Sequence, residues 1–144
     1  SKGNVKISDI RLEMQHIMQN YCPVYRSEEK MIIGKEKLLE LIEKFKKIEI
    51  RDKTNIWNTE VIEALELENL LLQSLVSIES ALNRKESRGA HSRVDYKKRN
   101  DKSWLKHTMA WVNNNKKPKI RYRPVNLKTN SKEIKTIEPK VRVY

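Results

Sequence analysis

Three stretches of the chain repeat apolar residues at the three- and four-residue spacing of an amphipathic helix. The first covers residues 8–21, where Ser8 or Asp9 can act as the N-cap. Pro23 then breaks the pattern, so residues 22–26 are predicted to form an extended connector. The apolar positions of this first helix are Ile10, Met14, Ile17, Met18 and Tyr21.

The second helix is predicted to begin near Ser27, with Gly34 inside it, and the third to run from a cap at Asn58 or Thr59 to about Arg84. Long helices joined by short connectors pack as antiparallel neighbours. The fold class is therefore mainly α, with a spectrin-like, antiparallel three-helix bundle. The apolar positions are Ile33, Leu38, Leu41, Ile42, Phe45 and Ile48 in the second helix, and Val61, Ile62, Leu65, Leu70, Leu71, Leu72, Leu75, Val76, Ile78 and Leu82 in the third.

Helical spacing fades after residue 84, and three of the four prolines lie beyond it. Residues 106–112 and 120–125 alternate between apolar and polar side chains, which predicts a short β-hairpin or an extended basic C-terminal tail after the bundle. We therefore expect two parts. Residues 1–100 form the three-helix bundle and end in the Glu-Ser-Arg-Gly-Ala-His turn, and residues 101–144 form a basic extended tail with short strands.

The charge is distributed unevenly along the chain. Residues 1–83 contain 12 Lys or Arg and 14 Asp or Glu, whereas residues 84–144 contain 19 and 5. A basic segment with interleaved aromatic residues is typical of nucleic-acid binding, and it is equally compatible with a tail that packs on a larger body. The aromatic residues concerned are Tyr96, Trp104, Trp111 and Tyr122.

The composition argues against several classes of protein and site. No apolar run approaches the roughly 20 residues of a membrane span, and no signal peptide is expected at the start of the sequence. The single cysteine, Cys22, excludes an internal disulfide and a cysteine-built zinc site. Three glycines leave no Gly-rich nucleotide loop. The histidines His16, His91 and His107 have no second metal ligand at helical spacing, so neither a metal site nor a catalytic centre is predicted.

A dense group of charges directly follows the third predicted helix. Gly89 can adopt a positive φ there and end the helix as a C-cap glycine does. Such density predicts a clasp onto another domain or subunit, because arginine makes two-pronged contacts with carboxylates; the alternative is a charged, solvated turn. The candidate docking residues are Arg84, Glu86, Arg88, Gly89, His91, Arg93 and Asp95.

This segment resembles the C-terminal region of succinate dehydrogenase flavoprotein subunits. The pattern of that family is Arg-x-Glu-Ser-Arg-Gly-Ala-His-x-Arg-x-Asp, and residues 84–95 match it throughout. The resemblance spans nearly the whole chain and favours the type found in mitochondria and alphaproteobacteria. Further matching segments are Trp57-Asn58-Thr59, residues 65–70, residues 104–108, Tyr122-Arg123-Pro124-Val125 and residues 141–144.

The resemblance implies that the chain is a C-terminal fragment of a larger flavoprotein. In that family a longer N-terminal portion binds FAD covalently and carries the dicarboxylate site. There succinate is oxidised to fumarate, and electrons pass to the iron–sulfur subunit and quinone of the respiratory chain. None of those motifs matches a position in this sequence, so no catalytic, cofactor-binding or metal-binding residue is expected in it. The implied role is structural, docking on the flavin-binding and capping portions of the same subunit.

The partners implied by the resemblance are the iron–sulfur subunit, the membrane anchor subunits and a flavinylation assembly factor. The implied location is peripheral, on the cytoplasmic face of the bacterial inner membrane or the matrix side of the mitochondrial one. On this interpretation the basic tail is a strap over a larger subunit, and no nucleic acid is expected. The alternatives are a stand-alone basic helical module that binds nucleic acid and a helical scaffold without a partner.

Overall fold

Three long helices dominate the fold, as the sequence predicts. The computed structural model describes residues 5–112 and 117–140. In it α1 spans Ile7–Tyr21, α2 spans Glu28–Phe45 and α3 spans Thr59–Asn83. Each helix packs against the other two around one core, so the prediction of a mainly α fold with a helical bundle is confirmed.

Side chains cap both α2 and α3, at the predicted start near Ser27 and at Asn58, one of the two predicted caps of the third helix. The hydroxyl oxygen of Ser27 accepts a hydrogen bond from the N–H of Lys30 at 3.4 Å, and the side-chain oxygen of Asn58 accepts one from the N–H of Val61 at 3.1 Å. Each bond satisfies an N–H group that has no partner within its own helix, which fixes the start of the helix.

Two predicted helix ends lie elsewhere. Because α1 already begins at Ile7, Ser8 and Asp9 lie in its first turn, and no side chain caps it. Gly89 does have a positive φ, of 58°, yet it does not end α3. That helix stops at Asn83 because the next residue is extended, with a ψ of 97°.

The core lies along one face of each helix. In α3 the buried face follows Ala64, Leu67 and Leu71 rather than the wider stripe predicted from the sequence. Predicted core positions that prove exposed are Ile33, Ile62, Leu65 and Leu70. The buried apolar residues are Ile7, Ile10, Met14 and Ile17 of α1, Met31, Leu38, Leu41 and Ile42 of α2, and Ala64, Leu67, Leu71, Leu75, Ile78 and Ala81 of α3.

The three helices lie close together at Gly34 in α2. A Cβ atom at this position would overlap the Cβ of Tyr21 in α1 and lie 2.9 Å from the Cδ1 of Ile78 in α3. Glycine disfavours a helix interior by about 1 kcal/mol relative to alanine, so the residue is explained by packing rather than by propensity. It lets all three helices meet at one level.

The predicted hairpin forms beyond the bundle. β3 (Lys106–Val112) and β4 (Pro118–Pro124) pair antiparallel, from Lys106 opposite Pro124 to Val112 opposite Pro118. The second strand therefore begins two residues earlier than the pattern predicts. Most of the predicted connection, residues 113–116, lies outside the described residues. The hairpin packs against α3, and residues 125–140 form no helix or strand.

A small parallel pair joins two distant parts of the chain. β1 (Tyr25–Arg26) lies in the predicted extended connector and pairs with β2 (Ser92–Arg93). A short helix, α4 (Asp101–Trp104), then leads into the hairpin. These elements place the segment after α3 against the end of the bundle where α2 begins.

Candidate functional site

All seven candidate docking residues lie in residues 84–101, which we call the charged turn. Six of them join one hydrogen-bonded network through their side chains. Gly89 contributes the backbone bend, across which Arg88 and His91 exchange N–H···O bonds of 2.8 and 3.0 Å. A positive φ is favourable for glycine because it has no Cβ.

Glu86 is the centre of the network and is fully buried. One carboxylate oxygen accepts from the Nε atoms of Arg84 and Arg88 at 3.0 and 2.8 Å. The other accepts from Nη2 of Arg88 at 3.1 Å and from the backbone N–H of Asn100 at 2.9 Å. Burial by itself raises the pKa of Glu86, but these hydrogen bonds and the charge of Arg88 outweigh it and hold the pKa below its ordinary value. The carboxylate is therefore charged and fully paired.

Asp101 extends the network to α4. It accepts from Nη2 of Arg88 at 2.6 Å and from Nη2 of Arg99 at 2.9 Å. The hydrogen bond from Arg88 is the main reason that the pKa of Asp101 lies below its ordinary value. Arg88 thus joins two carboxylates on opposite sides of the charged turn.

Arg93 is also fully buried, at the end of α3. Its Nη1 atom donates to the carbonyl oxygens of Ala81 and Leu82 at 3.1 and 3.0 Å. These are among the last carbonyl groups of the helix, which have no partner inside it and carry the negative end of its dipole. Its guanidinium carbon lies 5.0 Å from the ring centre of Tyr96.

Asp95 connects Arg93 to the start of α2. Its two oxygens accept from Nε and Nη2 of Arg93, each at 2.7 Å, and one of them also accepts the N–H of Glu28 at 2.9 Å. The hydrogen bonds from Arg93 lower the pKa of Asp95 to about 2. A cation at the end of α3 and an anion at the beginning of α2 complement the dipoles of both helices.

His91 is held by both ring nitrogens. Nε2 lies 3.0 Å from the carbonyl oxygen of Arg84, and Nδ1 lies 3.0 Å from Nη1 of Arg26. Because a carbonyl only accepts and a guanidinium only donates, the ring carries its proton on Nε2 and is neutral. Burial lowers the pKa of His91, and the charges of Arg26, Arg93 and Arg84 lower it further.

Arg84 ties the network to the hairpin. Its Nη1 donates to the carbonyl oxygen of Lys106 and the hydroxyl of Thr108, both at 3.0 Å, and its Nη2 donates to the carbonyl oxygen of Trp104 at 2.6 Å. The Trp104 ring centre lies 5.5 Å from the guanidinium carbon. The side chain of Arg84, the residue that directly follows α3, therefore binds Glu86 of the charged turn, α4 and β3 together.

Most of the aromatic residues in the basic segment have partners within the chain. Trp104 and Tyr122 meet edge to face at 5.4 Å, and Lys106 lies 4.5 and 4.3 Å from their ring centres. Tyr96 contacts Arg93. Trp111 and Tyr122 are exposed, at 50% and 39%, and the ring of Tyr122 already contacts Trp104 and Lys106. These four residues therefore do not form a row of free aromatic rings on which bases could stack.

The candidate docking residues leave out several contributors to the network, among them Arg26, Ser87, Arg99, Asn100 and Asp101. The backbone N–H of Asn100 donates to Glu86, 14 residues away, at 2.9 Å. Ser87 Oγ accepts from the N–H of Arg93 at 2.8 Å and donates to the carbonyl oxygen of Tyr96 at 2.7 Å. The sequence did contain a signal that Ser87 contributes, because it lies between Glu86 and Arg88. Arg26 is 65 residues from His91, and nothing in the sequence pairs them.

The charged turn holds carboxylates and arginines that satisfy one another. Within residues 5–112 and 117–140, no three His, Cys, Asp or Glu side chains come close enough to share a metal ion. Burial raises the pKa of the Cys22 thiol, which fits an unreactive cysteine. No helix in the described part of the chain has the length and apolar character that crossing a membrane requires.

An apolar ridge lies beside the charged turn. It consists of Val24, Tyr25 and Val94, all exposed, and the N–H of Val94 donates to the carbonyl oxygen of Arg26 at 2.8 Å. A groove of about 570 Å³ runs next to it. Residues lining this groove include Met18, Cys22, Pro23, Arg26 and Ala90. The network thus supports a fixed surface whose apolar side chains have no cover in the structure.

Comparison with known proteins shows strong similarity over the whole chain. A family profile described as "Fumarate reductase flavoprotein C-term" matches residues 11–144. The succinate dehydrogenase flavoprotein subunit of Rickettsia bellii is 48% identical over 144 residues, which are the entire chain and 24% of that protein. The mitochondrial succinate dehydrogenase [ubiquinone] flavoprotein subunit of Oryza sativa is 41% identical over the same 144 residues, 23% of its length.

The fold is shared with solved structures. A mutated E. coli quinol fumarate reductase matches 99% of the chain, and 24% of its own, with a TM-score of 0.88 and 36% identity. The adenylylsulfate reductase of Archaeoglobus fulgidus matches 96% with a TM-score of 0.77 at 21% identity, a similarity of fold alone. The chain spans about a quarter of the length of the curated relatives that it matches.

Proposed function

Because the chain belongs to the family of succinate dehydrogenase and fumarate reductase flavoprotein subunits, as their C-terminal domain, we propose that it serves in a subunit that oxidises succinate to fumarate with FAD. The observation that carries the proposal is the 48% identity to a succinate dehydrogenase subunit along the entire chain. The nucleic-acid alternative has no support among these relatives.

We place FAD in the rest of the subunit. Of the glycines that the structure describes, Gly34 fills a helix crossing and Gly89 forms a bend, so neither belongs to a phosphate-binding loop. The arginines of the charged turn, Arg84, Arg88, Arg93 and Arg99, are bound to carboxylates and carbonyl groups of the chain itself. FAD would supply the acceptor for the electrons of succinate, and this domain would hold no part of it.

The proposed role of the domain is docking. Glu86 and Arg88 fix the charged turn from within, and the apolar ridge beside it offers surface for the flavin-binding and capping portions of the same subunit.

We also propose that the helical bundle ends near residue 100 and that the basic tail after it lies as a strap on that body. The complex would further include the iron–sulfur subunit, the membrane anchor subunits and a flavinylation assembly factor. It would lie at the inner membrane, on the cytoplasmic side in bacteria or the matrix side in mitochondria.

An immunoblot tests the proposed identity. An antibody raised against this chain should detect, in the source cells, a polypeptide several times heavier than 17.2 kDa that carries covalent flavin fluorescence. The same band should be enriched in the membrane fraction. A band near 17 kDa without flavin would contradict the proposal.

The docking role is tested by Arg88→Ala in the complete enzyme. This change removes the side chain that joins Glu86 to Asp101, so flavin content and subunit association should fall more than substrate affinity does. Lys97→Ala is the matched control, because it removes an exposed cation from the same turn. Unchanged flavin content and unchanged association in Arg88→Ala would overturn the docking role.

A further inference from the structure

The connection between α2 and α3 exposes two large apolar side chains. The side chain of Trp57 is 91% exposed and that of Ile56 is 76% exposed. Exposed apolar residues also occupy the first two turns of α3, where Ile62 and Leu65 lie three positions apart on one face. Single exposed apolar residues are ordinary, but here four lie within ten positions of the sequence, and one of them is a tryptophan.

The backbone holds Trp57 in an unfavourable conformation. Its φ is +56°, and it is the one non-glycine residue of the described ranges with a positive φ. For a residue with a bulky side chain this conformation is rare, and it persists where the surroundings impose it.

Hydrogen bonds hold the loop on both sides of Trp57. The side-chain amide of Asn58 donates to the carbonyl oxygens of Asp52 and Thr54 at 2.8 and 3.0 Å. The carboxylate of Asp52 accepts from the N–H and the hydroxyl of Thr54 at 2.8 and 2.7 Å. Glu60 accepts from the backbone N–H groups of residues 51 and 52 at 2.8 and 2.7 Å. The loop is therefore fixed before anything binds to it.

We propose that Ile56 and Trp57 form an anchor that inserts into an apolar pocket on the remaining part of the same flavoprotein subunit. The inference rests on the proposed function. The length of the relatives indicates which partner binds the anchor. About three quarters of each matched relative lies outside the region that this chain covers, and that part must contact the bundle. A tryptophan on a pre-organised loop is the kind of residue that dominates an interface, since little freedom is lost on binding.

This anchor is separate from the charged turn. It precedes α3, whereas the charged turn follows it, and a helix of 25 residues is about 37 Å long. The flavoprotein body would thus hold the bundle at both ends.

Oxidative footprinting by hydroxyl radicals tests the anchor in the complete subunit purified without its partner subunits. Trp57 should be oxidised several-fold more slowly than Trp111, although Trp111 is less exposed in the structure, at 50%. Oxidation of Trp57 at least as fast as Trp111 would overturn the proposal. Protection that appears only in the assembled complex, or only at high subunit concentration, would also overturn it, because the occupant would then be another subunit or a second copy.

Three substitutions distinguish a role of the Trp57 side chain from a role of its backbone conformation. If the role of Trp57 were only to adopt its φ, Trp57→Gly would preserve or improve resistance of the complete subunit to proteolysis between its domains. The anchor predicts that Trp57→Gly and Trp57→Ala both increase cleavage, and that Trp57→Phe largely restores resistance. Covalent flavin and succinate oxidation of the wild-type subunit are measured alongside; their absence would refute the proposed function without deciding where Trp57 docks.

Discussion

The guanidinium group of Arg93 binds the carboxylate of Asp95 through two hydrogen bonds of 2.7 Å, inside a turn that touches two helices. On one side Arg93 donates to carbonyl oxygens in the last turn of α3, and on the other Asp95 accepts the N–H of Glu28 at the start of α2. This pair therefore couples the two helix ends to each other. The side chain of Arg93 is fully buried, and it binds backbone carbonyl groups and Asp95 rather than a ligand.

Arg93→Lys should destabilise the domain by about 3 kcal/mol, the low end for breaking a buried ion pair. Lysine keeps the charge but cannot contact two carbonyls and both carboxylate oxygens at once. Urea unfolding followed by circular dichroism of the helices measures the change. The exposed Arg121→Lys is the matched control and should stay within about 0.5 kcal/mol of wild type. Equal effects of the two substitutions would contradict this account of Arg93.

Asp95 should make stability sensitive to acid. Its pKa in the folded chain is about 2 against an ordinary value of 3.8, chiefly because of the hydrogen bonds from Arg93. As the pH falls, the unfolded chain takes up this proton first, so the stabilisation is complete above about pH 5 and is lost between about pH 4 and 2. Comparing urea unfolding of wild type and Asp95→Asn across this range isolates the effect. A stability difference that does not shrink below pH 4 would show that the pair is not responsible.

The titration of His91 should change the stability at a higher pH than the titration of Asp95 does. Burial and the neighbouring arginines lower its pKa below 6.5, so the unfolded chain binds the proton more readily than the folded one. Stability should therefore fall as the pH decreases below about 6.5. In His91→Gln this part of the pH dependence should disappear, because the amide offers one donor and one acceptor without titrating. Parallel pH profiles for the two proteins between pH 7.5 and 5 would refute the assignment.

Gly34→Ala should lower the stability although alanine favours helices. The added methyl group overlaps Tyr21 and presses on Ile78, and overpacking of this kind costs about 1–3 kcal/mol. The gain in helix propensity is only about 1 kcal/mol. Glu36→Ala, at an exposed position of the same helix, is the control for propensity alone. A thermal midpoint for Gly34→Ala at or above that of wild type would mean that the helices separate easily.

Local sequence patterns predicted the elements well. Apolar spacing located all three long helices, and the start of α2 near Ser27 was correct. Of the two predicted caps of α3, Asn58 is the one that forms, because capping depends on neighbours three residues away. Alternation located both strands of the hairpin. Spacing could not distinguish Leu65, which is exposed, from Leu67, which is buried, because both lie in a run rich in leucine.

The sequence predicted which residues belong to the charged turn, but not how they contact one another. Its residues were selected for their density, and the burial of Glu86 and Arg93 was not foreseen because such side chains are rarely fully buried without partners. Their partners are backbone groups of α3 and residues far along the chain, such as Arg26. Tertiary structure creates these contacts, so no local pattern encodes them.

The connection between Arg93 and Asp95 also has a consequence for the order of folding during synthesis. α2 and α3 leave the ribosome before residue 93 does, and Arg93 finds its carbonyl partners only at the end of a finished α3. Asp95 in turn needs the first N–H of α2 beside it. The turn can close only on helices that already lie side by side in register. Its closure would therefore mark a correctly assembled bundle, before the hairpin is added.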